Sequence, residues 1–139
     1  MASKIFIDSD VVIDFFTDRG PFGKPASELF ELNEKGIVQL FVSAISINNI
    51  YYVIRKFLGH QHAIQVIEDI VEMATVVGTT KDEIIQALRN NFKDFEDSIQ
   101  YSTAMTIVGI EAIITRNIKD YSNSAIAVFT PENFLKQLM

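Results

Sequence analysis

The chain of 139 residues contains no cysteine and no tryptophan, and it has only two histidines and three prolines. The absence of cysteine excludes disulfide bonds and thiolate zinc sites. No apolar run reaches the roughly 18 residues of a membrane-spanning helix, because Asp, Asn or Lys interrupts the longest ones. The first residues show no signal-peptide pattern. We therefore expect a cytoplasmic protein that does not enter a membrane.

Basic residues are also scarce, since 12 Lys and Arg face 18 Asp and Glu and give a net charge of −6. This balance argues against attraction of nucleic acid to the whole surface, because phosphate contacts depend on Lys and Arg. A local basic rim would remove the objection, and the alternative is that the same cations are ordinary solvated side chains. The candidates for the rim are Arg55, Lys56, Arg89, Lys93, Arg116 and Lys119.

Apolar residues are plentiful, at 48% of the chain with eleven Phe. A chain of this length buries about two-thirds of its surface, so we expect one domain over residues 1–139 with a single core. The aromatic surplus belongs more often to a core than to an interface. This expectation covers Phe15, Phe16, Phe22, Phe30, Tyr51, Tyr52 and Phe57.

Short apolar segments alternate with segments of helical periodicity along the chain. The predicted strands are residues 4–7, 38–42, 74–77, 112–115 and 127–129, and a Gly- and Pro-rich loop is predicted at 17–25. Caps and apolar spacing predict helices at 11–16, 26–34, from Ser43 or Ser46 to 57, 61–73, from the Thr80/Glu83 capping box to 90, 94–109, and from Thr130 onward. Such alternation predicts an α/β fold with three layers, α/β/α, around a mostly parallel sheet of about five strands.

Acidic residues fall where an open α/β sheet places its functional crevice, beyond the carboxyl ends of the strands. Asp8 follows the first predicted strand and Asp120 lies just after the fourth. Asp97 lies in the first turn of the preceding helix, and Asp94, three residues earlier, is expected on the same side. Clustered carboxylates repel one another unless a cation intervenes, which indicates a site for a divalent metal.

Oxygen donors favour Mg²⁺ or Mn²⁺ over zinc. His60 and His62 are two residues apart and would not share a helix face, so we interpret them as surface-loop residues. A metal held by carboxylates suits phosphodiester hydrolysis, because it activates a water and stabilises the developing charge. Single aspartates at strand ends are also common as caps, so spacing alone leaves both readings open.

Two segments near the amino terminus resemble motifs of the PIN domain family, in particular the small prokaryotic PIN domains that include VapC-type toxin ribonucleases. In residues 5–14 the motif aspartate corresponds to Asp8, followed by the hydroxyl residue Ser9, and Asp10 replaces the usual Asn. Residues 42–51 are similar to the second motif, with Asn49 in place of the usual glutamate.

The resemblance continues to the end of the chain. Residues 94–100 are similar to the third motif, where Asp97 matches the central acid and Asp94 is an additional carboxylate. Residues 114–121 resemble the fourth motif, in which Asp120 matches the last acid, and residues 128–135 also fit. The motifs are short, but their order and spacing together are specific.

The resemblance implies a PIN-like fold and a metal-dependent endoribonuclease that is the toxin of a toxin–antitoxin pair. Asp8, Asp97 and Asp120 would hold Mg²⁺ or Mn²⁺ with Asp94 as a fourth ligand, and Asn49 would stand at the second catalytic motif. Ser9, Thr115 and Asn117 would position water, carboxylates or phosphate. The implied partners are RNA, an antitoxin protein and a second copy of the chain in a homodimer.

Two other functions remain open at this point. Asn49 cannot supply negative charge or act as a base, so the chain could be a catalytically silent PIN-like module that binds RNA or a partner protein. The Asp8-Ser9-Asp10 segment also superficially fits an aspartate phosphotransfer domain of receiver or phosphatase type. Against the latter, the sequence lacks a downstream acidic pair and a strand-end Lys after Ser or Thr.

Overall fold

A computed structural model of the protein describes residues 2–138, which form five strands, seven α-helices and one 3₁₀ helix, Ile118–Tyr121. The strands are β1 (Ser3–Ile7), β2 (Val38–Ser43), β3 (Thr75–Val77), β4 (Ile110–Ile114) and β5 (Ala127–Phe129). The helices are α1 (Ser9–Thr17), α2 (Gly20–Glu34), α3 (Ala44–Leu58), α4 (His60–Met73), α5 (Lys81–Arg89), α6 (Phe95–Ala104) and α7 (Pro131–Gln137). Met1 and Met139 lie outside the described residues, and one domain over residues 1–139 stays a prediction.

The five strands form one parallel sheet in the order β3-β2-β1-β4-β5. β1 is central, with Ile5 opposite Leu40 of β2 and Ala112 of β4. Because all strands run the same way, every carboxyl end lies at one edge, and we call this the carboxyl edge. The predicted parallel sheet is confirmed, and its strand order differs from the 2-1-3-4-5 order of receiver domains.

Alternating side chains of the sheet enter two separate cores, which confirms the three layers. Ile5 and Ile7 of β1 pack with α1, α2, α3, α4 and α7 on one face. Phe6 of β1 faces the other side, where it packs with Ala104 of α6 and with Tyr121. The sheet is therefore covered on both faces, and its carboxyl edge remains as the open crevice.

Three helix starts predicted from caps are confirmed. Ser43 caps α3 by accepting the backbone N–H of Ser46, and Thr130 caps α7 by accepting that of Asn133. Thr80 and Glu83 form the expected reciprocal capping box at α5. Each of these helices starts at the carboxyl edge because it follows a parallel strand with at most three residues between them.

The predicted loop at residues 17–25 is wrong over most of its length, because α2 already begins at Gly20. Pro21 lies in the first turn, where a backbone N–H has no partner within the helix, so proline is tolerated there. The N–H groups of Phe22 and Gly23 both donate to the carbonyl of Arg19. A Cβ on Gly23 would lie 2.5 Å from the Asp18 carboxylate, so only glycine allows this close approach.

Helix α6 ends at Ala104, earlier than the predicted end near residue 109. Thr106 and Ile107 donate their N–H groups three residues back, and the Thr106 hydroxyl bonds to the carbonyl of Thr103. These tight turns replace the α-helix, and Gly109 then adopts a φ of +82°. The strand β4 consequently begins at Ile110 instead of residue 112.

The aromatic residues divide between core and surface. Phe30 is buried and Phe15, Phe16 and Tyr51 pack partly against the core, as predicted. The prediction is wrong for three others, which are exposed because they lie on outward helix faces: Phe22, Tyr52 and Phe57. His60 and His62 are exposed as expected but belong to α4 and not to a loop.

No helix within residues 2–138 combines the length and apolar character that crossing a membrane would require.

Candidate active site

Asp8 directly follows β1 and caps α1 at the carboxyl edge. Its Oδ1 accepts the Ser9 backbone N–H at 2.8 Å. Its Oδ2 accepts the Thr115 hydroxyl at 3.0 Å and the Tyr121 hydroxyl at 3.3 Å. Burial raises the pKa of this carboxyl, whereas the three hydrogen bonds oppose the rise. The carboxylate is therefore fixed in orientation from two sides.

The segment that follows β4 supplies the donors behind Asp8. Thr115 is fully buried, and besides donating to Asp8 it accepts the backbone N–H of Asn117 at 3.1 Å. The Asn117 side chain turns toward Asp10, donating from Nδ2 to Oδ2 at 3.2 Å. Thr115 and Asn117 thus both contact carboxylates, and their role in positioning substrate stays a prediction.

Asp10 binds the same segment from α1. Its Oδ2 accepts the Arg116 backbone N–H at 3.2 Å in addition to the Asn117 amide. Within residues 2–138 the second oxygen, Oδ1, is buried and has no hydrogen-bond partner. Burial, and then the charge of Asp8, raises the pKa of Asp10 to about 7. A buried carboxylate oxygen without a partner is unusual and marks a place where a cation or donor would be stabilised.

Arg116 does not face the crevice as a free cation. Its Nε lies 2.7 Å from Oδ2 of Asp14, and its terminal nitrogen donates to Asp14 Oδ1 at 3.3 Å. Its guanidinium also lies over the Phe22 ring, 4.2 Å from the centroid. Because Asp14 is nearly fully buried, the pair neutralises a charge that burial would otherwise penalise. Arg116 therefore serves to attach the loop to α1 and α2.

Asp97 lies in the first turn of α6, as predicted. Its pKa is raised to about 7, first by burial and then by the charges of Asp8, Asp94, Asp120 and Glu96. Asp94 is the N-cap and not a helical residue, so its carboxylate turns back and accepts the Asp97 N–H at 3.0 Å. Both acids remain at one end of α6.

Asp120 lies in the 3₁₀ helix and is exposed. Its charge raises the pKa values of both Asp8 and Asp97. The three acids predicted to converge thus interact electrostatically, although they come from different elements. The structure brings them to the carboxyl edge from β1, from the start of α6 and from the segment after β4.

Asn49 occupies the second turn of α3 and turns toward the same edge. Its Nδ2 donates to the Ser9 hydroxyl at 3.1 Å. The hydroxyl of Ser9 acts here as the acceptor, so its own proton is free for another group. Ser9 therefore contacts Asp8 through its backbone and Asn49 through its hydroxyl, and Asn49 contributes a neutral amide where the family pattern has a carboxylate.

A buried polar cluster holds α6 against the start of α3. The Ser43 hydroxyl donates to Gln100 Oε1 at 2.6 Å, and Gln100 Nε2 donates to the Ser46 hydroxyl at 2.8 Å. Gln100 follows Asp97 by one helical turn and is almost fully buried. Because the polar groups are mutually satisfied, the cluster fixes the position of the Asp97 turn relative to α3.

The donor set fits a hard divalent cation, since carboxylate oxygens that repel one another line the crevice. Within residues 2–138, however, no three Asp, Glu or His side chains lie close enough together to form a complete metal site. Mg²⁺ in proteins commonly keeps several waters and uses one or two direct carboxylates. The arrangement therefore suits a cation that is partly hydrated.

Sequence reasoning missed three supporting residues: Tyr121, Asp14 and Gln100. The position of Tyr121 next to Asp120 could have indicated that it lies near the site. Its hydroxyl contact with Asp8, however, depends on the 3₁₀ turn. Gln100 shares a helix face with Asp97 at a spacing of three, which could have indicated it. Nothing in the local sequence pairs Asp14 with Arg116, which lies 102 residues away.

Comparison with known proteins gives one family and several relatives. Residues 4–119 match the sequence profile of the PIN domain family. Ribonuclease VapC1 of Aquifex aeolicus (strain VF5) is 28% identical over 141 residues, covering 98% of this chain and 96% of that protein.

Solved structures share the fold at low sequence identity. A toxin-antitoxin complex from Klebsiella pneumoniae contains a chain with a TM-score of 0.68 and 23% identity, covering 91% of this chain and 97% of its own. DNA-bound VapBC from Salmonella typhimurium gives a TM-score of 0.70 at 16% identity, covering 93% and 98%. Together with the strand-end aspartates and the profile match over most of the chain, these findings show that the chain belongs to the PIN domain family.

Proposed function

We propose that this PIN domain is a metal-dependent endoribonuclease that hydrolyses RNA phosphodiester bonds and is the toxin of a toxin–antitoxin pair. The relative named Ribonuclease VapC1 supports this, since the alignment covers nearly the whole of both chains. The observation that carries the proposal is the placement of Asp8, Asp97 and Asp120 at the carboxyl edge, where the charges of Asp8 and Asp120 raise the pKa of Asp97. Carboxylates that repel one another are stabilised by a bound cation. A cation held in this way can activate a water for hydrolysis of a phosphodiester.

Asp8, Asp94, Asp97 and Asp120 would hold Mg²⁺ or Mn²⁺. When bound, the cation lowers the pKa of a water for attack and stabilises the charge on the phosphate and the leaving oxygen. Thr115 and Tyr121 hold the Asp8 carboxylate in one orientation, so less reorganisation is needed when substrate arrives.

Ser9 and Asn117 complete the positioning of substrate. Because Ser9 accepts from Asn49, its hydroxyl proton can be donated to a phosphate oxygen in the crevice. Asn117 anchors the segment between Thr115 and Asp120 to Asp10, which keeps Asp120 within range of Asp8 and Asp97. Asn117 therefore has a positioning role, whereas the Ser9 hydroxyl would touch the substrate.

A second candidate function is a catalytically silent module that binds RNA or a partner protein. Two observations favour it: the neutral Asn49 is bonded to Ser9, and no three carboxylates within residues 2–138 form a complete metal site. The experiments below separate the two functions, because the silent module would neither bind Mg²⁺ at this edge nor cleave RNA.

We further propose that the protein is a cytoplasmic homodimer. An antitoxin helix would bind in an apolar groove of about 530 Å³ between α1 and α3. Phe57 and Leu58 line it and are 73% and 48% exposed. An amphipathic helix is the usual occupant of such a groove. We expect sedimentation equilibrium of the isolated chain to give the mass of a dimer, and a monomer at micromolar concentration would contradict this part of the proposal.

The first test is cleavage of labelled single-stranded and structured RNA with Mg²⁺ or Mn²⁺, comparing the wild type with Asp97→Asn. We expect metal-dependent cleavage by the wild type and a rate reduced at least about 100-fold in the variant, because one carboxylate at the cation is lost.

The matched control is Glu68→Gln, which removes a carboxylate on the exposed face of α4 and should leave the rate unchanged. Absence of cleavage by the wild type, together with no Mg²⁺ binding in calorimetry, would favour the silent module. Equal rates for the wild type and Asp97→Asn would remove Asp97 from the site.

A pair of substitutions at Asp94 separates its capping role from its charge. Asp94→Asn keeps an oxygen that can accept the Asp97 N–H but removes the charge, whereas Asp94→Ser keeps a shorter cap. If Asp94 is a metal ligand, both variants should bind Mg²⁺ about tenfold more weakly in calorimetry while unfolding at nearly the wild-type urea concentration. Unchanged affinity in both would leave Asp94 as a cap alone.

The acidic edge also predicts how stability depends on pH without metal. The pKa of Asp97 is raised from 3.8 to about 7 in the folded protein, so between these pH values the folded state binds more protons than the unfolded state. The free energy of unfolding therefore falls as pH rises from about 4 to about 7. We expect urea unfolding in EDTA to show this loss in the wild type and a smaller loss in Asp97→Asn.

Saturating Mg²⁺ at pH 8 should restore more stability to the wild type than to Asp97→Asn, since the cation replaces the missing protons. The Glu68→Gln protein serves again as the control and should follow the wild type. Parallel pH profiles of the wild type and Asp97→Asn would show that Asp97 does not titrate as described.

A further inference from the structure

A second cleft is lined by Asp120 and by residues from two separate segments of the chain. It encloses about 360 Å³, within the range of sites that take a small ligand. Residues 91–93, which precede α6, form one wall. Lys119, Asp120, Ser122 and Asn123 form the other wall. The cleft therefore shares Asp120 with the candidate active site.

The two walls are attached to each other in the folded protein. The Asn123 side chain donates from Nδ2 to the backbone carbonyl of Asn91. Phe92 packs against Tyr101 at 5.0 Å and edge-on against Tyr121 at 5.9 Å between ring centroids. The Tyr121 hydroxyl in turn donates to Asp8. The same aromatic cluster therefore contacts both the cleft and the Asp8 carboxylate. Its shape is thereby set before any ligand binds.

The cleft also contains two lysines and the single carboxylate of Asp120. Lys93 and Lys119 are both exposed, and within the described part of the chain neither forms an ion pair with a carboxylate. Arg116, the other cation of the loop after β4, is neutralised by Asp14. Arg55 and Lys56 lie in the last turn of α3, which starts at the carboxyl edge and ends roughly 20 Å away from it.

An RNA strand faces an unfavourable field at this edge. The chain carries a net charge of −6, and the acids of the site repel a phosphodiester that approaches them. Binding must therefore come from cations close enough to act within a Debye length of about 8 Å. Of the six basic residues that the sequence offered as a rim, Lys93 and Lys119 line the cleft that contains Asp120.

We propose that this cleft is a subsite for the RNA backbone next to the cleaved bond, in which Lys93 and Lys119 bind a phosphate of a single strand. The inference rests on the proposed ribonuclease function and adds where the substrate strand continues beyond Asp120. The amides of Asn91 and Asn123 and the Ser122 hydroxyl contribute polar groups for a ribose or base edge.

The test measures RNA binding separately from cleavage. Asp97→Asn protein, in fixed Mg²⁺, is titrated with a short fluorescent single-stranded RNA at several NaCl concentrations. We compare it with the same protein carrying Lys93→Gln and Lys119→Gln. The expected result is an affinity at least about fivefold weaker and a salt slope lower by about 0.7 to 1.4, the change for one or two lost phosphate contacts on a single strand.

The matched control carries Lys35→Gln and Lys56→Gln, which remove the same charge at the far ends of α2 and α3. It should keep the original slope and lose little affinity. Equal losses in both double variants, an unchanged slope in the Lys93 and Lys119 variant, or no RNA binding by the parent protein would each overturn the subsite. Thermal unfolding of each variant verifies that the fold is intact.

Cleavage by the otherwise wild-type chain then distinguishes this inference from the proposed function. With Lys93→Gln and Lys119→Gln we expect a KM raised at least about fivefold and an unchanged kcat, because the lysines contribute to substrate binding and not to the reacting atoms. An active enzyme whose KM does not respond would contradict the subsite alone. A wild-type chain that never cleaves would contradict the nuclease.

Discussion

The arrangement of the site depends on one carboxylate that is buried at the end of the central strand. Asp8 would be expensive to bury without partners, and its pKa is raised even with three hydrogen bonds in place. Those bonds come from α1, from the end of β4 and from the 3₁₀ helix. Because the donors lie far apart in sequence, only the assembled sheet can hold Asp8. The same contacts also fix the loop that carries Asp120.

The loop after β4 is attached more firmly than a surface connection needs to be. Asp10 accepts hydrogen bonds from the Arg116 backbone and the Asn117 side chain, and Asp14 binds the Arg116 guanidinium. All of these contacts are on the α1 side, whereas the acids of α6 approach from the other side and repel. The crevice therefore has one side, at α1, where hydrogen bonds and an ion pair hold the loop, and another side, at α6, where carboxylates repel. This combination is typical of sites that lower stability locally in order to bind a cation.

Much of this could be predicted from local sequence. Strand-end aspartates, the Ser43 and Thr80 caps and the parallel order follow from periodicity and capping chemistry, which act over a few residues. The exceptions have physical reasons. Helix α2 begins inside a Gly- and Pro-rich segment because Pro21 fits a first turn and Gly23 allows close contact with Asp18. The Tyr121 and Arg116 contacts span more than 100 residues, so no local pattern contains them.

The chain departs from the family pattern at two positions near the site, 10 and 49, and the two changes are opposite in charge. The usual Asn is an aspartate at position 10, and the usual glutamate is an amide at Asn49, so the number of carboxylates near Asp8 is unchanged. The acidic side chain therefore lies on α1 instead of α3, where Asp10 accepts hydrogen bonds from the Arg116 backbone N–H and the Asn117 side-chain amide. Asn49 meanwhile donates to Ser9, which a glutamate could not do when ionised. The exchange therefore keeps the number of acidic side chains near Asp8 and leaves the proton of the Ser9 hydroxyl free, so that Asn49 alters the role of Ser9 more than the number of acids.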